Sequence, residues 1–428
     1  MLVGRALDKL GPDEDGLAVL QTVLDLFGEP YLIAKSNDKP LSLLWARPDR
    51  LATVELYTFG KCLQKIKSSN YKWLKQTIRE IKKSPEKARG LCTEIIYLGM
   101  FEASGAAIEP AQKNNAGYDF SIKAAEGQSQ YVSIKNIDIS DSNAAFQRGC
   151  RKLRGRWQEK LRLTKENLSL HVIFKSLPEE KDFDLAIKSL QAAGSIFPSL
   201  HLAPKDGIDL FVANLPLTKN LSPIHTSETV ICYCTAPTSE TNRYFSAIRN
   251  AAKNIHTHTK AVANALRVVF MRLHVNAEFE AIRQLSRELV NKENNEVDCL
   301  IFHQPSYVRD EQNNSHINHG FLIEANAKFA LASTQYGLIK CMLPIGSVSL
   351  QQSRNQIRDT TNGSILEIRP SDYLFQQGDI YILGEMGEHV SLSSTATGIR
   401  EHGVFLLNGH HLTFSSKITP PTEDLLLV

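Results

Sequence analysis

Residues 86–137 read EKARGLCTEIIYLGMFEASGAAIEPAQKNNAGYDFSIKAAEGQSQYVSIKNI, and the order of elements in this stretch decides the fold. Behind Pro85, the run 86–102 places Leu91, Ile95, Leu98 and Phe101 near one helical face, and Ser104-Gly105 ends it. Three short strand-like runs follow at 106–110, 118–124 and 130–137. The turn signals Asn114-Asn115 and Glu126-Gly127 separate them, a spacing that predicts a tight antiparallel meander.

Working outward, Ser140, Asp141 and Ser142 offer N-cap choices for a helix over 143–165. Phe146, Cys150, Leu153, Trp157 and Leu161 recur there at three- and four-residue intervals as one apolar stripe. A buried strand at 168–174 would then complete the order helix, three strands, helix, strand between 86 and 176. Upstream, 14–27 and 56–83 read as helices, the second interrupted near Ser68 and Ser69. Downstream the pattern is helix (183–193), strands (208–213 and 229–234), helix (241–263), strand (266–273), helix (277–290) and strand (297–303). From about residue 310 short strands, Gly and Ser dominate, with turn signals from Pro344 to Gly387.

The expected fold is therefore α/β. It divides into a helical N-terminal region (1–85), a core (86–195), a further α/β region (196–308) and a β-rich C-terminal domain (309–428). A chain of 428 residues with 42% hydrophobic and 22% charged residues has ample core and no disorder signature. No apolar run suits a membrane span and the first ten residues lack a signal-peptide core, so a cytoplasmic location is expected. Seven scattered cysteines fit reduced thiols, and Cys232-Tyr233-Cys234 fits a buried strand better than zinc.

Net charge is only +3, but it is unevenly spread. Residues 61–89 hold ten Lys or Arg against Glu80 and Glu86, and 148–165 hold eight against Glu159. Two such segments around one short region suit a polyanion such as nucleic acid; the plain alternative is a pair of solvated helix faces.

Glu94, Asp119 and Lys135 carry the chemistry. They fall in Cys92-Thr93-Glu94-Ile95-Ile96, Gly117-Tyr118-Asp119-Phe120 and Val132-Ser133-Ile134-Lys135-Asn136, each on a different element of the helix and meander. Two carboxylates and a lysine are what metal-assisted phosphodiester hydrolysis needs. Hard oxygens hold Mg²⁺ or Mn²⁺, and an ammonium orients the attacking water and stabilises developing charge. The bland readings are an Asp119 that bonds backbone amides, a solvated Lys135, and a Glu94 that is half of a surface pair.

The helix Glu, the Gly-x-Asp strand, the x-x-Lys strand and the αβββαβ order resemble the PD-(D/E)XK nuclease superfamily, in particular its restriction-endonuclease-like branch. The resemblance covers about 90 of 428 residues. It implies that Asp119 ligates metal and Lys135 is the catalytic lysine. Glu94 would contact metal or orient water, and the Ile134 carbonyl would be a main-chain ligand. It departs from the pattern at Ser133, where the family places an acid or amide two residues before the lysine. Glu126, Asp138 or Asp141 would then have to reach in, or metal affinity would fall.

The implied function is a Mg²⁺- or Mn²⁺-dependent endonuclease on DNA, such as a bacterial restriction or antiphage defence effector. Arg148, Arg151, Lys152, Arg154 and Arg156 would contact nucleic-acid phosphates. A protein partner or homo-oligomer is left open. The alternative is a non-catalytic nucleic-acid-binding or scaffold protein that retains the nuclease-like sheet. No phosphate-binding loop of the Gly-x-x-x-x-Gly-Lys-Ser/Thr type, dinucleotide fingerprint or nucleophile elbow occurs. The pairs His256/His258 at a helix end and His316/His319 in an Asn-rich loop read as weak metal candidates, and Gly409-His410-His411 as a hairpin turn.

Overall fold

The computed structural model describes residues 13–34, 39–46, 50–111, 117–123, 129–164, 168–214, 230–235, 237–274, 277, 279–292, 296–309, 315–336, 347–349, 356–359, 363, 365–367, 380–384, 388–390, 399–406 and 412–419. It is a mixed α/β protein. Among the described residues no helix is long and apolar enough to cross a membrane.

Among the described residues, helices come first: α1 (Asp13–Phe27), α2 (Glu29–Leu32), α3 (Pro40–Ala46), α4 (Arg50–Ser69), α5 (Tyr71–Lys83) and α6 (Pro85–Ala103). The break between α4 and α5 has a local cause. The Ser68 and Ser69 hydroxyls donate back to the Lys65 carbonyl (2.6 and 3.3 Å), which competes with the helix ladder, and Asn70 leaves helical geometry to donate to Glu102 (2.6 Å). Pro85 opens α6, and Gly105 at φ +87° closes it in the left-handed region. Gly99 lets α6 lie against α4, because a Cβ there would come within 2.6 Å of the Cys62 Cα.

Next come β1 (Ile108–Pro110), β2 (Phe120–Lys123) and β3 (Ser129–Ile137), an antiparallel meander as the sequence predicts. The chain then departs from expectation. Helix α7 (Asp141–Thr164) and strand β4 (Leu168–Phe174) do not continue this sheet. They join α8 (Glu180–Ala192), β5 (His201–Lys205), β6 (Ile208–Asn214) and β7 (Val230–Thr235) around a second sheet and a separate core. The stripe Phe146, Cys150, Leu153 and Trp157 is buried, but against β4, β6 and β7.

The strand beside β3 is instead β8 (Ala265–Leu273), paired in parallel from Ser129↔Ala265 to Ile137↔Leu273. The helix that crosses to it is α9 (Thr238–Thr259). Alternation along the strands explains the layering. Val132, Ile134, Val268 and Phe270 share a core with α6, whereas Ile137, Val269 and Met271 share one with Ile248, Ala251 and Ile255 of α9. The sheet is thus sandwiched between α6 and α9. The expectation that the helix after the meander and the following strand belong to one unit within 86–195 is corrected accordingly: β8, not β4, neighbours β3 in this sheet. Periodicity could not reveal this, since a buried parallel strand looks alike whichever sheet it enters.

After α10 (Phe279–Val290), β9 (Cys299–Arg309) and β10 (Ser315–Ala325) widen the first sheet, followed by α11 (Ala327–Tyr336). The β-rich C-terminal region does not stand apart. Strands β11 (Ser347–Ser349), β12 (Gln356–Asp359) and β13 (Ile365–Glu367) extend the first sheet, and β14 (Ile380–Gly384) pairs with β7 in the second. Among the described residues, β15 (Glu388–Val390), β16 (Ile399–Leu406) and β17 (Leu412–Thr419) form a sheet of their own.

Candidate functional site

The ladder between β2 and β3 sets Phe120 opposite Val132. Asp119 N–H also donates to the Val132 carbonyl (2.9 Å), one residue out of register, so Asp119 and Phe120 together stand against one residue of β3. That two-against-one spacing is a bulge, which re-aims the side chain at the strand's start. The Asp119 carboxylate turns along the edge of β3, where Oδ2 accepts the Ile134 N–H (2.5 Å). Because N–H and C=O of one strand residue point the same way, the Ile134 carbonyl shares this edge. Here the bland expectation for Asp119 holds: it does bond a backbone amide.

That bond leaves Oδ1 for other work, and charged groups gather beside it. Lys135 Nζ lies 3.9 Å from Asp119 Oδ2, with the two side chains 40% and 27% exposed. Glu94, half-buried on α6, feels both. Burial first, then the Asp119 and Glu80 carboxylates, push its pKa up to about 8, against the opposing pull of Lys135. Burial also raises the Asp119 pKa, opposed by Lys135, the Ile134 amide and Ser133. A pair of half-buried carboxylates that repel one another is a donor set that a cation would relieve.

Ser133 is 1% exposed. Its hydroxyl favours the ionised form of Asp119 without reaching conventional hydrogen-bond geometry. Of the substitute acids, Asp138 is already engaged. It accepts from Arg272 (3.2 Å) and Asn136 (2.9 Å), lies 3.9 Å from Arg89, and its carbonyl accepts from Arg243. Asp141 sits in the first turn of α7, exposed, and Glu126 lies outside the described residues. Among the described residues no group of three or more His, Cys, Asp or Glu is arranged to hold a metal. Glu94, Asp119 and the Ile134 carbonyl still suit Mg²⁺, which needs only one or two protein carboxylates beside waters and substrate oxygens.

The basic residues of α7 lie elsewhere. Arg148, Arg151, Lys152 and Arg156 are exposed and Arg154 is half-buried, but their helix packs on the second sheet. Lys152 is paired with Asp184 (2.7 Å) and Arg156 with Glu159 (2.9 Å). The His316/His319 pair is not in a loop: it begins β10, and buried His319 accepts or donates at 2.9 Å to His303, which meets the Tyr97 hydroxyl at 2.7 Å. His256 and His258 do end α9, where the His258 ring closes on Gly117, and Gly409-His410-His411 lies outside the described residues.

Sequence reasoning missed two groups. Glu80 on α5 acts on Glu94, and buried Arg272 donates to Asn136 (2.6 Å) at the end of β3. An arginine inside the apolar strand Leu266 to Leu273 was the available signal for the second. Comparison of the chain with protein-family models, with curated proteins and with solved structures found no match.

Proposed function

We propose that the chain is a divalent-cation-dependent nuclease that hydrolyses phosphodiester bonds in DNA, on a restriction-endonuclease-like core. One observation carries this. Lys135 stands 3.9 Å from Asp119, and the same carboxylate raises the pKa of Glu94, so three elements supply one cluster with the expected chemistry. The order α6, β1–β3, α9, β8 supports an αβββαβ reading in which residues 141–237 are an insertion.

Glu94, Asp119 and the Ile134 carbonyl would hold Mg²⁺ or Mn²⁺. When bound, such an ion supplies charge neutralisation at the scissile phosphate and a more acidic water. Lys135 orients the attacking water and offsets charge as it develops on the phosphate oxygens. The Ile134 amide fixes the Asp119 rotamer. Glu94, whose pKa is raised to about 8, would give up its proton to ligate the ion. A restriction or antiphage role fits this chemistry.

A second reading, a binding or scaffold protein, draws on Ser133, whose hydroxyl is a weak substitute for an acid. Incubating the protein with supercoiled plasmid, linear duplex, single-stranded DNA and RNA in Mg²⁺, Mn²⁺ or EDTA separates the two. Metal-dependent cleavage should disappear in Asp119→Ala and Lys135→Ala, and Ser133→Glu should strengthen metal use. Cleavage that persists in both Ala variants refutes the assignment, and inertness of every form, Ser133→Glu included, favours the scaffold.

A further inference from the structure

We infer that α5 and the start of α6 form a groove that takes the phosphodiester backbone of a nucleic-acid strand. The groove encloses about 690 Å³ and is lined by Lys72, Lys75, Arg79, Lys83 and Lys87, with Glu80 as its one carboxylate. On α5 the four cations fall three or four residues apart, which aligns them in a stripe. The eleven rises from Lys72 to Lys83, at about 1.5 Å each, make the stripe roughly 17 Å long, enough to follow several phosphates. The opposite face of α5, with Leu74, Thr77, Ile78 and Ile81, is buried, so the stripe is fixed in orientation.

A plain solvated face does not account for the arrangement. Cations at these spacings repel by a few tenths of a kcal/mol each, and helices on ordinary surfaces offset this with acids. Among the described residues, Lys72, Lys75, Arg79 and Lys83 have no ion-pair partner, and Lys87 reaches Glu80 only at 3.9 Å. Lys82, off the stripe, is used differently: it donates to the Leu26 carbonyl (3.1 Å) and lies over the Phe27 ring. The amino end of α6 also opens here at Ser84, adding the positive end of a 19-residue helix.

Affinity for a phosphate backbone does not rest on the nuclease reading. The test measures binding of labelled single-stranded DNA, duplex DNA and RNA of one sequence to the full chain in EDTA, between about 50 and about 200 mM salt. The groove variant Lys75→Ala/Arg79→Ala/Lys83→Ala is compared with Arg148→Ala/Arg151→Ala on α7, and circular dichroism checks the fold of each. Loss of three phosphate contacts should flatten the slope of log affinity against log salt by about 2 for a single strand or about 3 for a duplex. The substrate whose slope falls is the strand the groove holds. A folded groove variant with an unchanged slope overturns the inference. So does unaltered nucleic-acid affinity with lost binding of polyglutamate, which would mean an acidic protein partner. A flattened slope in a protein that never cleaves sinks the nuclease reading and leaves the groove standing.

Discussion

Gly117 has a steric reason to be glycine, and replacing it with alanine tests how the site is held. A Cβ built at this position comes within 2.6 Å of His258 Nδ1 and closer still to its Cβ and Cγ, where ordinary contact begins at 3.4 Å. The last turn of α9, or the segment entering β2, must retreat by about 1 Å, and the His258 Cβ cannot rotate away. Overpacking of this kind costs about 1–3 kcal/mol, or roughly 2–12 °C in a large domain. Asp119 is two residues away, so its bulge moves too, and a misplacement of about 1 Å can lower a rate about a hundredfold. Gly155→Ala is the control. That glycine lies inside α7 with nothing within 4 Å, and alanine there should raise stability by about 0.5–1 kcal/mol. Thermal unfolding of both variants reads the answer. If Gly117→Ala melts at or above the parent, as Gly155→Ala should, the close approach of α9 to the site is wrong.

Two further outcomes follow from the same structure. With its pKa raised from 4.5 to about 8, Glu94 is more protonated folded than unfolded across that interval. Cation-free stability should therefore fall as pH rises between those values, by up to about 1.4 kcal/mol per unit from this group. Glu94→Gln should flatten the fall and be the more stable form near pH 8; denaturant titrations at several pH values check it, and an unchanged slope would contradict the burial of Glu94. Trp157→Ala should cost about 3–5 kcal/mol in the core of the second sheet. Cys150 and Cys232, both buried in that core, should then react with a thiol probe well before Cys92 and Cys299, which lie in the core shared by α6 and the first sheet; equal reactivity would mean that the two cores unfold as one.

Much of this was legible before any coordinates. The helices around the Ser68 and Ser69 break, the three-strand meander and the stripe Phe146, Cys150, Leu153, Trp157 all carry local signals, and each formed. So did the juxtaposition of Asp119 and Lys135, because adjacent strands of a meander must pair. What failed was partner choice. The stripe on α7 states that the helix packs on something apolar, not which sheet, and β4 and β8 read alike as buried strands. The spacing of the basic residues does not reveal their surroundings either: α7 packs on the second sheet, and the cations of α5 line a groove. The histidines of β10 misled differently: Asn-rich flanks suggested a loop, but the register with β9 buries His319 against His303.

The convergence of Glu94 and Asp119 on a single cation is most directly tested by calorimetric titration of the protein with Mn²⁺ at pH 7, in two buffers of different ionisation enthalpy. A Glu94 pKa of about 8 means that binding must expel its proton, so about one proton should leave per cation at pH 7, very little near pH 9, and none in Glu94→Gln. Asp119→Asn should weaken binding severely. Mn²⁺ that binds without releasing a proton, or with equal affinity in Asp119→Asn, would contradict the site.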